Sequence, residues 1–317
     1  MVGIEKGPHT SATSQQSTTF CRRELLERSQ RGFSIILLVS DALHFFGRKI
    51  RISWLAYLKQ QNRKPHLICN AFKAPDTITQ SANDSTDKST NPQAMQFGSC
   101  LPQLLQKIWE ADPDNGPVLI SKWDISDTFH RCHICPEDVG TFIYVEPPPI
   151  PSDPEPLLCI DLVLPIGWVK SPDLFCATSE TVTNEANIAF CSDPTPQLLY
   201  LPTVGLYQVF PAKPAGLSRL QYADVYMDDI NCLTQGDQTQ QRRLTEIVLQ
   251  ALKAIYPAVK GGLKDSISLK KATTGDGDWE VSKEIFGWII NTSKRTISLS
   301  PKHISDLTQL LNIPPTH

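Results

Sequence analysis

Apolar positions recur along this chain with two periods, and the periods sort it into elements. At helical spacing, Leu244, Ile247, Val248, Ala251, Leu252 and Ile255 form one stripe across residues 241–256, closed by Pro257. Leu104, Leu105, Ile108 and Trp109 line one face of residues 101–110, and a turn at 112–116 follows. Two Ser-Pro pairs open further helices: Ser171-Pro172 heads residues 171–190, and Ser300-Pro301 heads a segment bearing Ile304, Leu307 and Leu311. A weaker helical repeat through Ile35, Ile36, Val39 and Leu43 extends over residues 22–61, which read equally well as a remnant of a longer upstream region. Strand-like runs occupy 64–70, 118–124, 142–145 and 157–164, and 285–290 forms a hairpin with 296–299. Residues 222–230, Tyr-Ala-Asp-Val-Tyr-Met-Asp-Asp-Ile, carry apolar or aromatic residues on both sides of Asp228 and Asp229, the pattern of a β-hairpin with an acidic tight turn. The Ser/Thr/Gln-rich residues 1–20 predict a disordered tail, and the polar 77–91 predict a loop.

Composition adds limits. A chain of 317 residues with 40% apolar content holds one large or two modest domains. Its 25 prolines concentrate in 146–156 and 194–214, runs that favour extended surface connections. Charge is uneven: residues 1–73 hold 12 Lys/Arg against 4 Asp/Glu, and the remainder 18 against 29. A basic front suits phosphate contacts and equally suits a solvated helix surface. Nine cysteines without paired spacing indicate reduced thiols inside a cell, cytoplasmic or nuclear. His130-x-Cys132-His133-x-Cys135 has zinc-like residue types, but alternation on a strand splits them between two faces and no second ligand pair follows. The apolar stretch 33–46 is short and interrupted by Asp41 and His44, so no membrane span is expected.

The chemistry concentrates in acids at strand ends. Adjacent carboxylates such as Asp228 and Asp229 repel unless a cation or proton lies between them, and Mg²⁺ is the economical cation for oxygen ligands. Asp124 ends the strand run 118–124 on the same face as Lys122. Between the two acidic places lies Leu-Pro-Ile-Gly-Trp-Val-Lys-Ser-Pro-Asp-Leu-Phe at 164–175, where Gly167 permits close backbone approach. Spacing alone does not bring residues about a hundred positions apart into one site.

The acid-ended run at Asp124, the Leu-Pro-x-Gly-x-x-x-Ser-Pro-x-x-Phe block and the Tyr-Met-Asp-Asp turn, in that order, resemble the palm of reverse transcriptases. Glu-Ile-Phe-Gly-Trp-Ile-Ile at 284–290 is similar to that family's primer-gripping strand, and the segments 92–102 and 275–279 resemble a branch found in retrotransposons. The resemblance spans about residues 65–311 and implies an α+β fold: an antiparallel palm sheet with helices packed on one face, plus a partial fingers region. The implied division is a tail at 1–20, a helical and fingers region at 21–117, a palm at 118–299 and the start of a thumb at 300–317.

The same resemblance implies RNA-directed DNA polymerase activity by a two-magnesium mechanism, acting on an RNA or DNA template with primer and on deoxynucleoside triphosphates. Asp124, Asp228 and Asp229 are then the catalytic, metal-binding acids. Asp127, Phe129 and Gly167 would meet the nucleotide, and Phe286, Gly287 and Trp288 would grip the primer. Lys270 or Lys271 would protonate pyrophosphate. The chain departs from the family at His66, where Arg is usual, at Thr128, where a small Ala is common, and at Ile166. A core role for Phe129, and a structural role for Asp224 on the same hairpin, are the plain readings beside these. Two other functions compete: an inactive relic or repurposed nucleic-acid-binding module, and a two-metal nuclease on another fold.

Overall fold

The computed structural model describes residues 7–47, 50–59, 64–71, 81–89, 97–147, 155–191, 219–257 and 265–311. Its elements run α1 (Gln15–Gln30), β1 (Ser34–Leu38), α2 (Val39–Phe46), β2 (Ile52–Leu58), β3 (His66–Asn70), α3 (Cys100–Glu110), β4 (Leu119–Asp124), β5 (Ile143–Val145) and β6 (Leu157–Asp161). They continue with α4 (Ser171–Cys191), β7 (Gln221–Tyr226), β8 (Asp229–Thr234), α5 (Gln238–Ile255), β9 (Ser282–Ile285), β10 (Trp288–Asn291), β11 (Thr296–Leu299) and α6 (Pro301–Leu311). Strand pairing is antiparallel except between β2 and β5, so the fold is α+β. The described residues divide into two compact units, one drawn from Met1–Met95 and Asp127–Thr178, the other from Gln96–Ser126, Ser179–Pro257 and Asp265–His317. These interleave along the chain, where the sequence suggests the linear division 21–117 and 118–299.

The first unit is built on a five-stranded sheet of order β1-β6-β5-β2-β3. Against it lies α1, capped by the Ser14 side chain, which accepts from the Ser17 amide at 3.2 Å. Ser17, Cys21 and Leu25 recur every fourth residue, so they share one face, and Cys21 and Leu25 pack with Leu55, Tyr144 and Cys159. Residues 7–20, expected to be disordered, therefore contribute to the core: Ala12 is fully buried and α1 begins at Gln15. The helix expected across 22–61 is corrected too. It stops at Gln30, Gly32 turns at φ 77°, and the chain runs on as strand, short helix and strand. Short runs such as Ile35-Ile36-Leu37-Leu38 fit either state by periodicity, and the sheet decides between them.

Among the charged residues of α1, Arg28 reaches a buried partner. The Arg28 guanidinium donates to Asp161 Oδ1 at 2.8 Å, and the Tyr144 hydroxyl donates to the same oxygen at 2.7 Å. Asp161 is fully buried; burial pushes its carboxyl up, against the opposing pull of Arg28 and Tyr144.

The second unit holds a three-stranded sheet of order β4-β8-β7 and a meander β9-β10-β11. Leu104 and Ile108 of α3 pack with Ile120, Leu233, Ile285 and Ile290, while Trp109, expected on that buried face, is 72% exposed. The edge of β7 is covered by Asn187 of α4, which accepts from the Ala223 amide at 2.9 Å and donates to its carbonyl at 2.8 Å. Asp237 and Gln240 form a capping box at the start of α5. The strand expected over 285–290 is broken in two by a turn at Phe286-Gly287. Among the described residues no helix is long and apolar enough to cross a membrane. The proline-rich 194–214, most of 146–156 and the resembling segment's residues 92–96 lie outside the described residues.

Candidate active site

The hairpin β7–β8 pairs Tyr226 with Asp229, leaving a two-residue loop of Met227 and Asp228. Such loops require a left-handed residue, and Met227 supplies it at φ 58°, an uncommon conformation for a side chain with a Cβ. On the other side of β8, β4 pairs so that Asp124 stands directly opposite Asp229. Directly opposed residues project to the same face about 5 Å apart. The Ile125 amide also donates to the Asp228 carbonyl at 2.8 Å, so the strand ends are tied where the three acids emerge. Residues from two distant segments thus share one rim within the second unit.

Two ammonium groups already serve these acids. Lys122 Nζ lies 3.1 Å from Asp229 Oδ2, and Lys271 Nζ donates to Asp124 Oδ1. The sequence leaves Lys270 and Lys271 equal; the structure sets Lys271 on the acid. Burial raises the Asp124 carboxyl above its ordinary range and outweighs Lys271, which pulls the other way; Asp228 and Asp229 add to the rise. Asp229 is raised likewise, by burial first, against Lys122. Desolvation lowers Lys271, but its bond to Asp124 and the surrounding carboxylates more than offset this, so its ammonium is raised and stays protonated.

Carboxylate oxygens suit a hard divalent cation. As arranged here they do not form a site for one: among the described residues no three His, Cys, Asp or Glu side chains are disposed to hold a metal ion, and lysines engage Asp124 and Asp229.

The primer-grip candidates fall in the same unit. Phe286 (φ 52°) and Gly287 (φ 78°) form the loop joining β9 to β10, both left-handed as a type I′ turn requires. The Phe286 ring lies 4.7 Å from that of Tyr226, joining the turn to the acidic hairpin. Gly287 has no room for a Cβ against His303, and Trp288 is 36% exposed. Asp224, by contrast, is bonded locally, accepting from the Tyr222 hydroxyl at 2.9 Å and the Val225 amide at 2.8 Å.

The nucleotide-binding candidates belong to the first unit. Asp127 has a left-handed backbone (φ 61°) and its carboxylate is engaged by Arg31, whose guanidinium also sits 4.4 Å from the centre of the Phe33 ring. Phe129, partly buried, meets the buried Phe175 edge-on at 5.5 Å. Gly167 is fixed by packing: a Cβ there would lie 2.5 Å from the Cys69 carbonyl oxygen, and φ is 110°. Asn83, inside the expected loop, donates to the Gly167 carbonyl at 3.0 Å and accepts from the Val169 amide at 2.8 Å. Sequence reasoning missed Asn83, Asn187 and Arg31, because a single polar residue in a polar run carries no periodic signal.

No family model matches the chain, and no curated protein matches it.

Proposed function

We propose that this chain is a template-directed nucleotidyltransferase of the reverse-transcriptase kind, its second unit serving as the palm and its proposed partners a primed RNA or DNA template and deoxynucleoside triphosphates. The observation that carries the reading is the cross-strand register of Asp124 and Asp229 beside the Met227-Asp228 loop. It brings the first and third of the ordered motifs to one rim, and the Tyr226–Phe286 contact sets the fourth beside them in the same unit.

Primer extension moves a phosphoryl group to a hydroxyl and expels pyrophosphate. In this reading the acids orient the reacting end by charge and hydrogen bonding, and Lys271, kept protonated, supplies a proton to the leaving pyrophosphate. Magnesium is the proposed cofactor; Asp124, Asp228 and Asp229 would hold it, with the Lys271 and Lys122 ammonium groups turned from the carboxylates toward the phosphates while their backbone stays in place. The test is extension of a labelled primer on an RNA template in Mg²⁺. A folded chain that binds template-primer yet adds no nucleotide sinks the reading.

That same outcome supports a second function, a nucleic-acid-binding module without turnover. Its specific support is the pairing of both strand-end acids with lysines in place of a ready metal group. It predicts template binding that weakens steeply with salt.

A further inference from the structure

Lys283 of β9 is 7% exposed in its side chain, and its ammonium donates to three backbone carbonyls: Gly275 at 2.9 Å, Asp276 at 2.8 Å and Asp278 at 2.7 Å. An ammonium has three N–H donors, so this cage satisfies all of them. Two of these carbonyls close the coiled residues Ala272–Asp276, which directly follow the segment Leu269–Lys271, and the third lies just beyond, so together they mark a turn at 275–278. The turn is docked on β4 in two ways. Ser121 Oγ donates to the Gly277 carbonyl at 3.1 Å, and Gly277 lies so close to the Trp123 ring that a Cβ would meet its Cη2 at 3.2 Å. Trp123 and Ser121 belong to the strand that ends in Asp124. At the other end of the segment, the Ser268 amide donates to the Asp124 carbonyl at 2.8 Å.

The segment 268–278 is therefore anchored at both ends to the strand bearing Asp124, and Lys283 fixes the far anchor. We propose that Lys283 is a positioning residue: by caging the 275–278 turn it holds Lys271 against the Asp124 carboxylate. Lys283 itself touches neither acid in any described contact; it acts through the backbone of the turn. A lysine suits the task because one compact charge can satisfy carbonyls converging from three residues, which a planar guanidinium cannot do from one atom.

The consequence for turnover rests on the nucleotidyltransferase reading, whereas the geometric claim does not, and the experiment separates them. Carbodiimide joins a carboxylate to an amine only where the two are in contact, so mass spectrometry of the treated protein reads the ion pairs directly. Wild-type protein should give both the Asp124–Lys271 and the Lys122–Asp229 amide. Lys283→Met, close in length but without donors, should lower the first at least about fivefold while the second, on the same sheet, stays within about twofold. Lys283→Arg, which keeps the charge but cannot meet the three carbonyls from one atom, should do the same and decides the matter if Lys283→Met does not melt cooperatively. A wild-type protein that gives only the Lys122–Asp229 amide overturns the proposal, as does an unchanged Asp124–Lys271 yield in the deciding variant. Should the chain extend primers, Lys283→Met lowers kcat about ten- to a hundredfold with nucleotide KM unchanged. Should it extend none, the cross-link yields alone decide whether Lys283 positions Lys271.

Discussion

Asp124 and Asp229 are direct cross-strand partners, one ending β4 and the other opening β8, and each carries its own lysine. Two carboxylates so placed would repel if left alone. Burial and mutual charge both oppose ionisation of Asp124, and Lys271 compensates for only part of this.

That balance makes neutral substitutes informative. On the nucleotidyltransferase proposal, Asp124→Asn and Asp228→Asn should each reduce single-turnover nucleotide incorporation by about a thousandfold or more, since that proposal sets both groups where charge develops. Asp224→Asn should stay within about tenfold, because its carboxylate serves Tyr222 and Val225. A carboxyl raised in the folded state costs stability once pH exceeds its unfolded value, so Asp124→Asn should melt higher than wild type at neutral pH. Equal losses in all three variants, or losses that follow unfolding, would turn the acids into a structural cluster.

His130 offers a pH experiment in the first unit. Its ring stacks on Phe33 at 4.8 Å, its Nε2 is buried without a hydrogen-bond partner, and burial pulls its pKa from 6.5 down to about 3. The unfolded chain takes up this proton first as pH falls, so the folded state loses stability between 6.5 and about 3. His130→Phe keeps a ring against Phe33 and removes the proton site. Melting curves of wild type and variant should agree in slope above pH 7 and diverge on acidification, wild type falling faster.

The pair of Arg28 and Asp161 should behave as buried pairs do. Arg28→Met strands the Asp161 carboxylate and should cost about 3–5 kcal/mol by denaturant melting. Adding Asp161→Asn to that variant should restore a large part, as the uncompensated charge is gone. Tyr144→Phe should cost about 1 kcal/mol, one hydrogen bond to an oxygen that keeps Arg28. A double variant no better than Arg28→Met would place the loss in the arginine's packing instead.

Gly167 separates two roles. Its close approach to Cys69 and its φ predict that Gly167→Ala costs at least about 2 kcal/mol, with Asn83→Ala costing about 1–2 kcal/mol. Unchanged melting together with weakened nucleotide binding would return Gly167 to the nucleotide.

Much of the second unit can be read from the sequence because its signals are local. The α5 stripe, the Ser-Pro start of α6 and the alternation around Met227-Asp228 each lie within one element or one hairpin. The break at Phe286-Gly287 escaped because Glu-Ile-Phe-Gly-Trp-Ile-Ile reads as one apolar strand, and Phe at φ 52° is not a residue that announces a type I′ turn. The N-terminal region misled for the opposite reason. Its Ser- and Gln-rich start has the composition of disorder, yet Ala12, Ser17 and Cys21 are small enough to lie close under the sheet. Of the candidate site, the acids were legible as types and order, and their meeting was not. The lysines that serve them depend on register and on a turn that no short window of sequence encodes.

The register of β4 on β8 also fixes when the acidic rim can come into being. The β7–β8 hairpin closes through two residues, a microsecond event, but β4 must find β8 across about a hundred intervening positions before any ladder bond returns the entropy of closing that loop. On a ribosome moving at about 5–20 residues per second, Asp124 emerges several seconds or more ahead of Asp229. For that interval the Leu119–Asp124 segment is an unpaired edge rich in apolar residues, open to the wrong partner. Yield of folded chain should therefore depend on synthesis speed and temperature more than on the stability of the finished sheet, and slowing translation downstream of β4 should lower it.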